Sequence, residues 1–304
     1  MTQYNPVIAR LMNGAIDTHV HNGPEGELER RQDVLEAAQR AQGQGMRAIV
    51  LKNKEYSTAP LAYLVNKLVP GFTAIGAIVC DLYVGGLNPL AVDMALRQGA
   101  RVVWMPTHTS HAQLQRGGLL PGAGDGRPRR STVIGEDSLR RVGEGIRLLD
   151  DAGKLLPVVH EILDLAAEHG AVIQSGHIGT DELLTLITAT RERRLDVICT
   201  HANFFYGADE QKQLAAPDVF IELCNITALS GRQTYEQLAE MLRVVGASHC
   251  VLGTDLGQFN NPYPVEGYRS FIAGLLLNGV SEEELVMAAQ RNAARVLRLD
   301  AGDG

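Results

Sequence analysis

The chain has 304 residues, of which 45% are hydrophobic and 21% charged, so it has enough apolar material for a large core. Asp and Glu outnumber Lys and Arg by 35 to 28, and the formal charge of -7 excludes the basic surface that nucleic-acid binding requires. No apolar run approaches the roughly 20 residues that span a bilayer, and the N-terminus lacks the pattern of a secretory signal. We therefore predict a cytoplasmic protein that binds neither nucleic acid nor a membrane.

Eight short apolar runs have the length and β-branched content of buried strands. They cover residues 15–20, 47–52, 73–80, 101–106, 171–176, 196–200, 219–224 and 250–254. The longer stretches between them show helical spacing of apolar residues, as in 31–44 and 161–169. This alternation predicts parallel strands joined by crossover helices, and eight such units predict one (β/α)8 TIM-barrel domain over residues 1–304. An open doubly wound sheet is the main alternative, although HVHNGPEG after the first strand contains no GxGxxG loop.

The interval between the fourth and fifth predicted strands, from about 107 to 170, is longer than the others. We predict a long insertion there, at the carboxyl end of strand four, where barrel enzymes keep segments that cover the substrate. A surface loop without a role is the alternative. The insertion contains arginines that can donate charge-assisted hydrogen bonds to an anionic substrate, namely Arg116, Arg127, Arg129 and Arg130.

Ionisable residues fall at the carboxyl ends of the predicted strands. His19 and His21 lie two apart at the end of the first strand, so the alternation of a strand turns both to the same face. The same count places Lys52 after Ala48 and Val50, His177 after Ile173 and Ser175, His201 after Val197 and Cys199, and Asp255 after Val251 and Gly253. Because a closed barrel gathers the carboxyl ends of its strands around one mouth, we expect these side chains to converge.

Neutral imidazole and carboxylate are favoured ligands of divalent ions such as zinc, manganese, iron and nickel. A buried cluster of unpaired charges would instead cost several kcal/mol per charge. The sequence therefore predicts a centre that holds one or two divalent ions, with zinc as the first candidate.

Four motifs resemble the amidohydrolase superfamily of metal-dependent hydrolases. They are DTHVH at 17–21, SGH at 175–177, CTH at 199–201 and GTD at 253–255, and RNAARVL from Arg291 is similar to the superfamily's closing segment. The resemblance implies that His19, His21 and Asp255 bind the first metal. It implies that His177 and His201 bind a second metal or, in one-metal members, complete the site or contact the substrate.

The chain departs from the commonest two-metal pattern at strand four. WMPTHTSH supplies no lysine that could be carboxylated to bridge two ions. Lys52 on strand two is the candidate for that place, as a carbamate formed with carbon dioxide. The alternative is that Lys52, or the neighbouring Lys54, binds a carboxylate of the substrate.

Several polar residues near the strand ends are candidates for substrate contact, although polar residues are also normal in turns and exposed loops. These candidates are Asn22, His108, His111, Asn203 and Gln258.

The residue set predicts hydrolysis of a small carbonyl compound, an amide, cyclic imide or lactone, by metal-activated water. Asp255 is the expected proton acceptor and donor. A one-metal decarboxylase or hydratase, a phosphoester hydrolase and a non-catalytic metal-binding barrel are the alternatives. The chain has no GxSxG elbow, and we interpret Cys199 as an inward-facing core residue beneath His201. The apolar segment 270–277 can pack on the barrel or on a second subunit, so a homo-oligomer is a further expectation.

Overall fold

The structure, a computed structural model, describes residues 6–116 and 143–299. Eight parallel strands form a single sheet in which each strand lies next to the one that follows it in the sequence. The strands are β1 Ile16–His21, β2 Ala48–Lys52, β3 Thr73–Val79, β4 Ala100–Trp104, β5 Val172–Gln174, β6 Val197–Cys199, β7 Val219–Cys224 and β8 Cys250–Gly253. This order confirms the predicted (β/α)8 barrel and excludes a doubly wound sheet, in which strand order reverses.

Helices alternate with the strands and cover the outside of the barrel. Before β5 they are α1 Pro6–Met12, α2 Val34–Gln42, α3 Ala59–Leu68, α4 Pro89–Arg97, α5 His111–Gln115 and α6 Pro157–Glu168. After β5 they are α7 Thr180–Glu192, α8 Ala202–Phe205, α9 Ala208–Leu214, α10 Ile226–Leu229, α11 Tyr235–Val245, α12 Pro264–Leu277, α13 Glu282–Val286 and α14 Asn292–Val296. The described residues contain no helix that is both long enough and apolar enough to cross a membrane.

Local sequence signals explain where these helices begin and which face they bury. α2 starts at a capping box in which the side chain of Asp33 accepts a hydrogen bond from the backbone of Glu36. Its buried residues follow the helical period and are Val34, Ala37, Ala38 and Ala41. α12 contains the whole apolar segment 270–277 and buries Phe271, Ile272 and Leu275, so that segment packs on the barrel.

The strands pack on two cores, one inside the barrel and one between the barrel and the helices. The inner core contains Ile16, Ala48, Val50, Ile75, Val102, Trp104, Val172, Ile198, Phe220 and Val251. Ile173, Val197 and Cys199 belong instead to the outer core. The prediction that these residues share the inward face of strands five and six with the histidines is therefore wrong. Cys199 does not lie beneath His201 inside the barrel. β5 and β6 have only three residues each, so His177 and His201 lie beyond the strands, where the alternation of side chains no longer applies.

Hydrogen bonds between β1 and the end of β8 close the barrel. The backbone N–H of Asp255 donates to the carbonyl of His19 at 2.9 Å, and that of His21 donates to Leu256 at 2.8 Å. The carboxylate of Asp17 accepts from the backbone N–H of Thr254 at 2.9 Å and from its hydroxyl at 2.7 Å. Closure therefore occurs next to the residues of the predicted metal centre.

The described part of the interval between β4 and β5 contains α5 and α6. Arg116 follows α5 and donates to the backbone carbonyl of His177 at 3.1 Å. The other arginines predicted to cover a substrate, Arg127, Arg129 and Arg130, lie outside the described residues.

Candidate metal centre

Three nitrogen atoms and one carboxylate oxygen meet at the carboxyl end of the barrel. Oδ1 of Asp255 lies 3.0 Å from Nε2 of His21 and 3.2 Å from Nε2 of His19. Nζ of Lys52 lies 3.0 Å from the same nitrogen of His19. All of these residues are buried, and the two imidazoles and the carboxylate offer ligand atoms within 4.8 Å of one another. Two imidazoles and a carboxylate form a donor set that suits a divalent ion.

A bulge in β1 brings both histidines of the HxH motif to the interior. Between Asp17 and Val20 the register against β2 shifts, so β1 contains one more residue than its neighbour over this stretch. Ile16, before the bulge, belongs to the inner core, whereas Val20, after it, packs in the outer core. His19 and His21 therefore both reach the mouth, as the sequence predicts.

His177 and His201 form a second pair beside the first. Their Nε2 atoms lie 2.9 Å apart, and the ring of His201 stacks 5.7 Å from that of His19. The backbone immediately after β5 and β6 directs them there, since Gly176 has φ 64° and His201 itself has φ 32°. The structure thus brings these histidines together through left-handed turns rather than through strand alternation.

Burial decides the protonation of the imidazoles. It is the largest cause that lowers the pKa of His201 to about 4, and it lowers the pKa values of His21 and His177 well below their usual range. These side chains are neutral at pH 7, which is the form that binds a metal.

The other two groups at the centre respond to burial in opposite directions. Burial favours a raised pKa for Asp255, but the neighbouring imidazoles of His19, His21 and His201 outweigh it and hold this pKa well below the usual range. Burial lowers the pKa of Lys52, which favours the neutral amine. The carboxylate of Asp255 and the amine of Lys52 thus both lie against Nε2 of His19, at 3.2 Å and 3.0 Å.

Sequence reasoning missed Glu222 on β7, which lies directly behind the centre. Its Oε2 lies 3.1 Å from Nδ1 of His19 and accepts from the backbone N–H of His201 at 2.9 Å, while Oε1 accepts from the hydroxyl of Thr18 at 2.6 Å. Burial opposes ionisation, but the neighbouring His19 and the hydrogen bonds lower the pKa of Glu222 to about 2. In the sequence, Glu222 is visible only as a single acidic residue within the otherwise apolar strand VFIELC. A carboxylate on Nδ1 leaves Nε2 of His19 to face a metal.

β4 contributes Trp104 to the site, in place of the lysine that the commonest two-metal pattern has there. This tryptophan ends β4, is fully buried in the inner core, and its ring lies 5.7 Å from that of His19. Nζ of Lys52 lies 5.4 Å from the centre of the indole. β4 therefore supplies an aromatic floor to the site.

Two of the candidates for substrate contact lie at the mouth. His108 is buried, its ring centre lies 5.8 Å from that of His177, and its Nδ1 lies 3.2 Å from Nζ of Lys54. Asn22 follows β1 directly, and its buried Oδ1 has no hydrogen-bond partner among the described residues.

The other three candidates are engaged in local hydrogen bonds. The amide of Asn203 bonds both the N–H and the carbonyl of Cys224. Gln258 donates to the carbonyl of Asp255 at 2.9 Å. Nδ1 of His111 lies 2.6 Å from the carbonyl oxygen of Glu144. Within the described ranges, His111 does not contact the metal centre. These residues support the loops around the site.

Comparison with known proteins places the chain in a family. The sequence model of a family of unknown function, DUF6282, matches residues 14–222. The chain belongs to the DUF6282 family. The matched range of this DUF6282 member contains both histidine pairs, Lys52 and Glu222, whereas Asp255 follows it. No curated protein matches the chain.

Solved structures with the same fold cover this DUF6282 chain almost completely. An amidohydrolase from Pseudomonas aeruginosa matches with a TM-score of 0.60 at 15% identity, over 96% of this chain and 97% of that one. A metallopeptidase from Rhodobacter sphaeroides, liganded with a phosphinate mimic of L-Ala-D-Ala, gives a TM-score of 0.56 at 10% identity over 94% and 99%. A 2,6-dihydroxybenzoate decarboxylase from Rhizobium gives 0.53 at 14% identity over 95% and 99%. Likeness at these identities establishes the barrel fold.

Proposed function

We propose that the chain is a metal-dependent hydrolase of the amidohydrolase superfamily that attacks an amide, cyclic imide or lactone with activated water. The observation that carries this proposal is the convergence of His19 and His21 on the carboxylate of Asp255, with Nζ of Lys52 3.0 Å from Nε2 of His19. The four motifs at the strand ends and the shared fold support it.

The donor set fits a divalent ion, with zinc as the first candidate. His19, His21 and Asp255 would hold it, because their imidazoles and carboxylate are buried and adjacent. Such an ion supplies hydroxide at neutral pH and polarises a carbonyl group. His177 and His201, whose Nε2 atoms lie 2.9 Å apart, would bind a second ion or, with one ion, complete the site or contact the substrate.

The chain's own residues divide the remaining work. Asp255, ionised and in contact with His21, accepts the proton of the attacking water and delivers it to the leaving nitrogen or oxygen. In a site that holds one ion, where Lys52 remains an amine, His201 or Lys52 would donate a hydrogen bond to the negative charge that develops on the carbonyl oxygen. Burial of all these groups excludes bulk water, which strengthens each of these interactions.

Lys52 is the candidate for a bridge between two ions. Its neutral amine attacks carbon dioxide, so that a bond forms between Nζ and carbon and one proton is released, which leaves an anionic carbamate. The lowered pKa and full burial of Lys52 favour this reaction, and the 3.0 Å contact with His19 places its product beside the proposed ligands.

Elemental analysis of protein purified without chelator tests the metal centre. We expect a divalent metal in the wild-type protein and its near-complete loss in His19→Ala. If Lys52 forms the bridge, Lys52→Ala will lower the occupancy from two ions to one or none. Unchanged occupancy in Lys52→Ala would remove the bridge, and a wild-type protein without metal would contradict the proposal.

Turnover in isotopically labelled water tests the reaction. We expect amides, cyclic imides or lactones to incorporate the labelled oxygen on hydrolysis by the wild-type protein, and Asp255→Asn to abolish this. The fold is shared with a decarboxylase, so aromatic carboxylic acids belong in the same panel. Release of carbon dioxide without incorporation of water would replace hydrolysis by decarboxylation, and turnover of phosphoesters alone would assign a phosphoester hydrolase.

A further inference from the structure

A second group of charged side chains, here called the rim cluster, lies at the mouth beside the metal centre. It consists of Glu25, Glu27, Arg30, Lys54 and His108. Nζ of Lys54 lies 2.7 Å from Glu27, 3.4 Å from Glu25 and 3.2 Å from Nδ1 of His108. The ring of His108 in turn lies 5.8 Å from that of His177, so the rim cluster is continuous with the second histidine pair.

Arg30 is the member of the rim cluster with an unused donor. Its side chain is only 2% exposed, and its Nε donates to the fully buried carboxylate of Glu25. Its Nη1 is buried and has no hydrogen-bond partner among the described residues. A buried guanidinium N–H without an acceptor is costly, so an acceptor bound at this position would stabilise the site. The second oxygen of Glu25 does not fill this place and lies 3.4 Å from Nζ of Lys54.

Backbone contacts place Arg30 at the mouth. Its backbone pairs with Gln258, which donates to the carbonyl of Asp255. A Cβ added at Gly23, two residues after His21, would lie 3.4 Å from Cβ of Arg30. Arg30 therefore lies beside the two segments that follow His21 and Asp255.

Phe205 supplies an apolar wall to the same mouth. Its ring centre lies 5.1 Å from that of His201 and 5.7 Å from that of His177. Arg116 fixes this wall, because its guanidinium lies 4.2 Å from the ring centre while it donates to the carbonyl of His177. A ligand at the mouth therefore meets an aromatic face as well as a buried cation.

We propose that Arg30 determines the specificity of this site by binding a carboxylate of the substrate through Nη1, while an apolar or aromatic part of the substrate packs on Phe205. A carboxylate suits this position because its hydrogen bonds to a guanidinium are charge-assisted and match its planar geometry. Glu25 holds the guanidinium in place from its Nε side. The proposal deepens the proposed function, on which the identity of the ligand as a substrate rests.

Calorimetric binding of benzoate and phenylacetate, each compared with its uncharged amide, tests this proposal on the full chain as purified. We expect the wild-type protein to bind the acids about tenfold more tightly than benzamide and phenylacetamide. Arg30→Gln should abolish the preference. Arg30→Lys should retain part of it, because lysine keeps a charge for Glu25 but loses the planar fork.

Arg40→Gln is the matched control, since Arg40 lies on α2 outside the rim cluster and its guanidinium lies 3.8 Å from the ring centre of Tyr263. It should keep the full preference for the acids. Any contact of the acids with a bound metal is common to all four proteins, so the differences report on Arg30. Thermal unfolding of each variant shows that it is folded, and Arg30→Lys provides the comparison if Arg30→Gln is not.

Equal binding of acids and amides by the wild-type protein would overturn the proposal, as would a full preference in both Arg30 variants or an equal loss in Arg40→Gln. The result of this binding test is independent of the test for hydrolysis. A preference that depends on Arg30, found in a protein that lacks hydrolytic activity, would support the carboxylate site and contradict only the hydrolase.

Discussion

The chemistry of His19 depends on which of its two nitrogens is free. Glu222 lies 3.1 Å from Nδ1, and this contact directs Nε2 toward Asp255 and Lys52. The same carboxylate accepts from the backbone of His201, so one buried acid orients a residue of each histidine pair. Carboxylates in this position behind a metal-binding imidazole fix its tautomer and raise its basicity.

Glu222→Gln should weaken metal binding by about 10- to 100-fold, because the amide keeps the size of the side chain but loses the charge that orients His19. Competition with a chromophoric chelator measures the affinity. Glu210→Gln is the matched control, since its carboxylate accepts from the backbone N–H of Gly207 at the start of α9, and it should change the affinity little. Equal affinities of Glu222→Gln and the wild-type protein would contradict a supporting role for Glu222.

Part of this centre could be predicted from the sequence at the level of single residues. Strand-end motifs locate His19, His21 and Asp255, because a barrel gathers the carboxyl ends of its strands. Glu222 lies within β7 rather than after it, so a search of strand ends does not find it. The contact between Arg30 and Glu25 forms within a loop, whose conformation is not fixed by periodicity.

At the scale of elements, the turns after the strands place the catalytic candidates as much as the strands do. β1, β2 and β8 are close to the predicted strands, and their alternation or bulge delivers the expected residues. β5 and β6 end earlier than predicted, and left-handed residues return His177 and His201 to the mouth. The sequence identifies strands from their apolar runs, but the conformation of a single residue after a short strand leaves no periodic signal.

Gly176→Ala should destabilise the protein by about 3 kcal/mol or more, since backbone strain and a steric clash combine at this turn. Gly176 has φ 64°, and an added Cβ would lie 2.3 Å from the carbonyl oxygen of Met105. Gly99→Ala is the control, because Gly99 has φ 96° but nothing lies within 4 Å of its Cβ position. It should cost about 1 kcal/mol.

Urea denaturation of the two glycine variants measures the difference in the free energy of unfolding. Equal losses would show that backbone strain alone governs Gly176. Metal analysis of the folded Gly176→Ala protein adds a second reading, because displacement of His177 should lower its occupancy if this histidine is a ligand.

At the scale of the whole molecule, one buried carboxylate joins the first strand to the last. Asp17 is 1% exposed and accepts from the backbone of His19 as well as from Thr254. Asp17→Ala leaves these buried donors without their acceptor and should cost about 3 kcal/mol of unfolding free energy. Asp93→Ala removes a surface ion pair with Arg97 and should cost about 0.5 kcal/mol. Similar midpoints in urea for the two variants would contradict a role of Asp17 in closure.

Metal binding should stabilise the closed barrel as a whole, because the proposed ligands His19, His21 and Asp255 lie on β1 and directly after β8. An ion at 100 times its dissociation constant stabilises the folded state by about 2.7 kcal/mol. Its removal by a chelator should therefore lower the unfolding temperature by roughly 5 to 10 °C, since each kcal/mol shifts it by about 2–4 °C in domains approaching this size. Differential scanning calorimetry measures this shift, and readdition of zinc should reverse it.

The His19→Ala protein should unfold at the same temperature with and without chelator. A shift of equal size in His19→Ala would place the stabilising ion elsewhere, and the absence of a shift in the metal-loaded wild-type protein would contradict a metal that ties the first strand to the last.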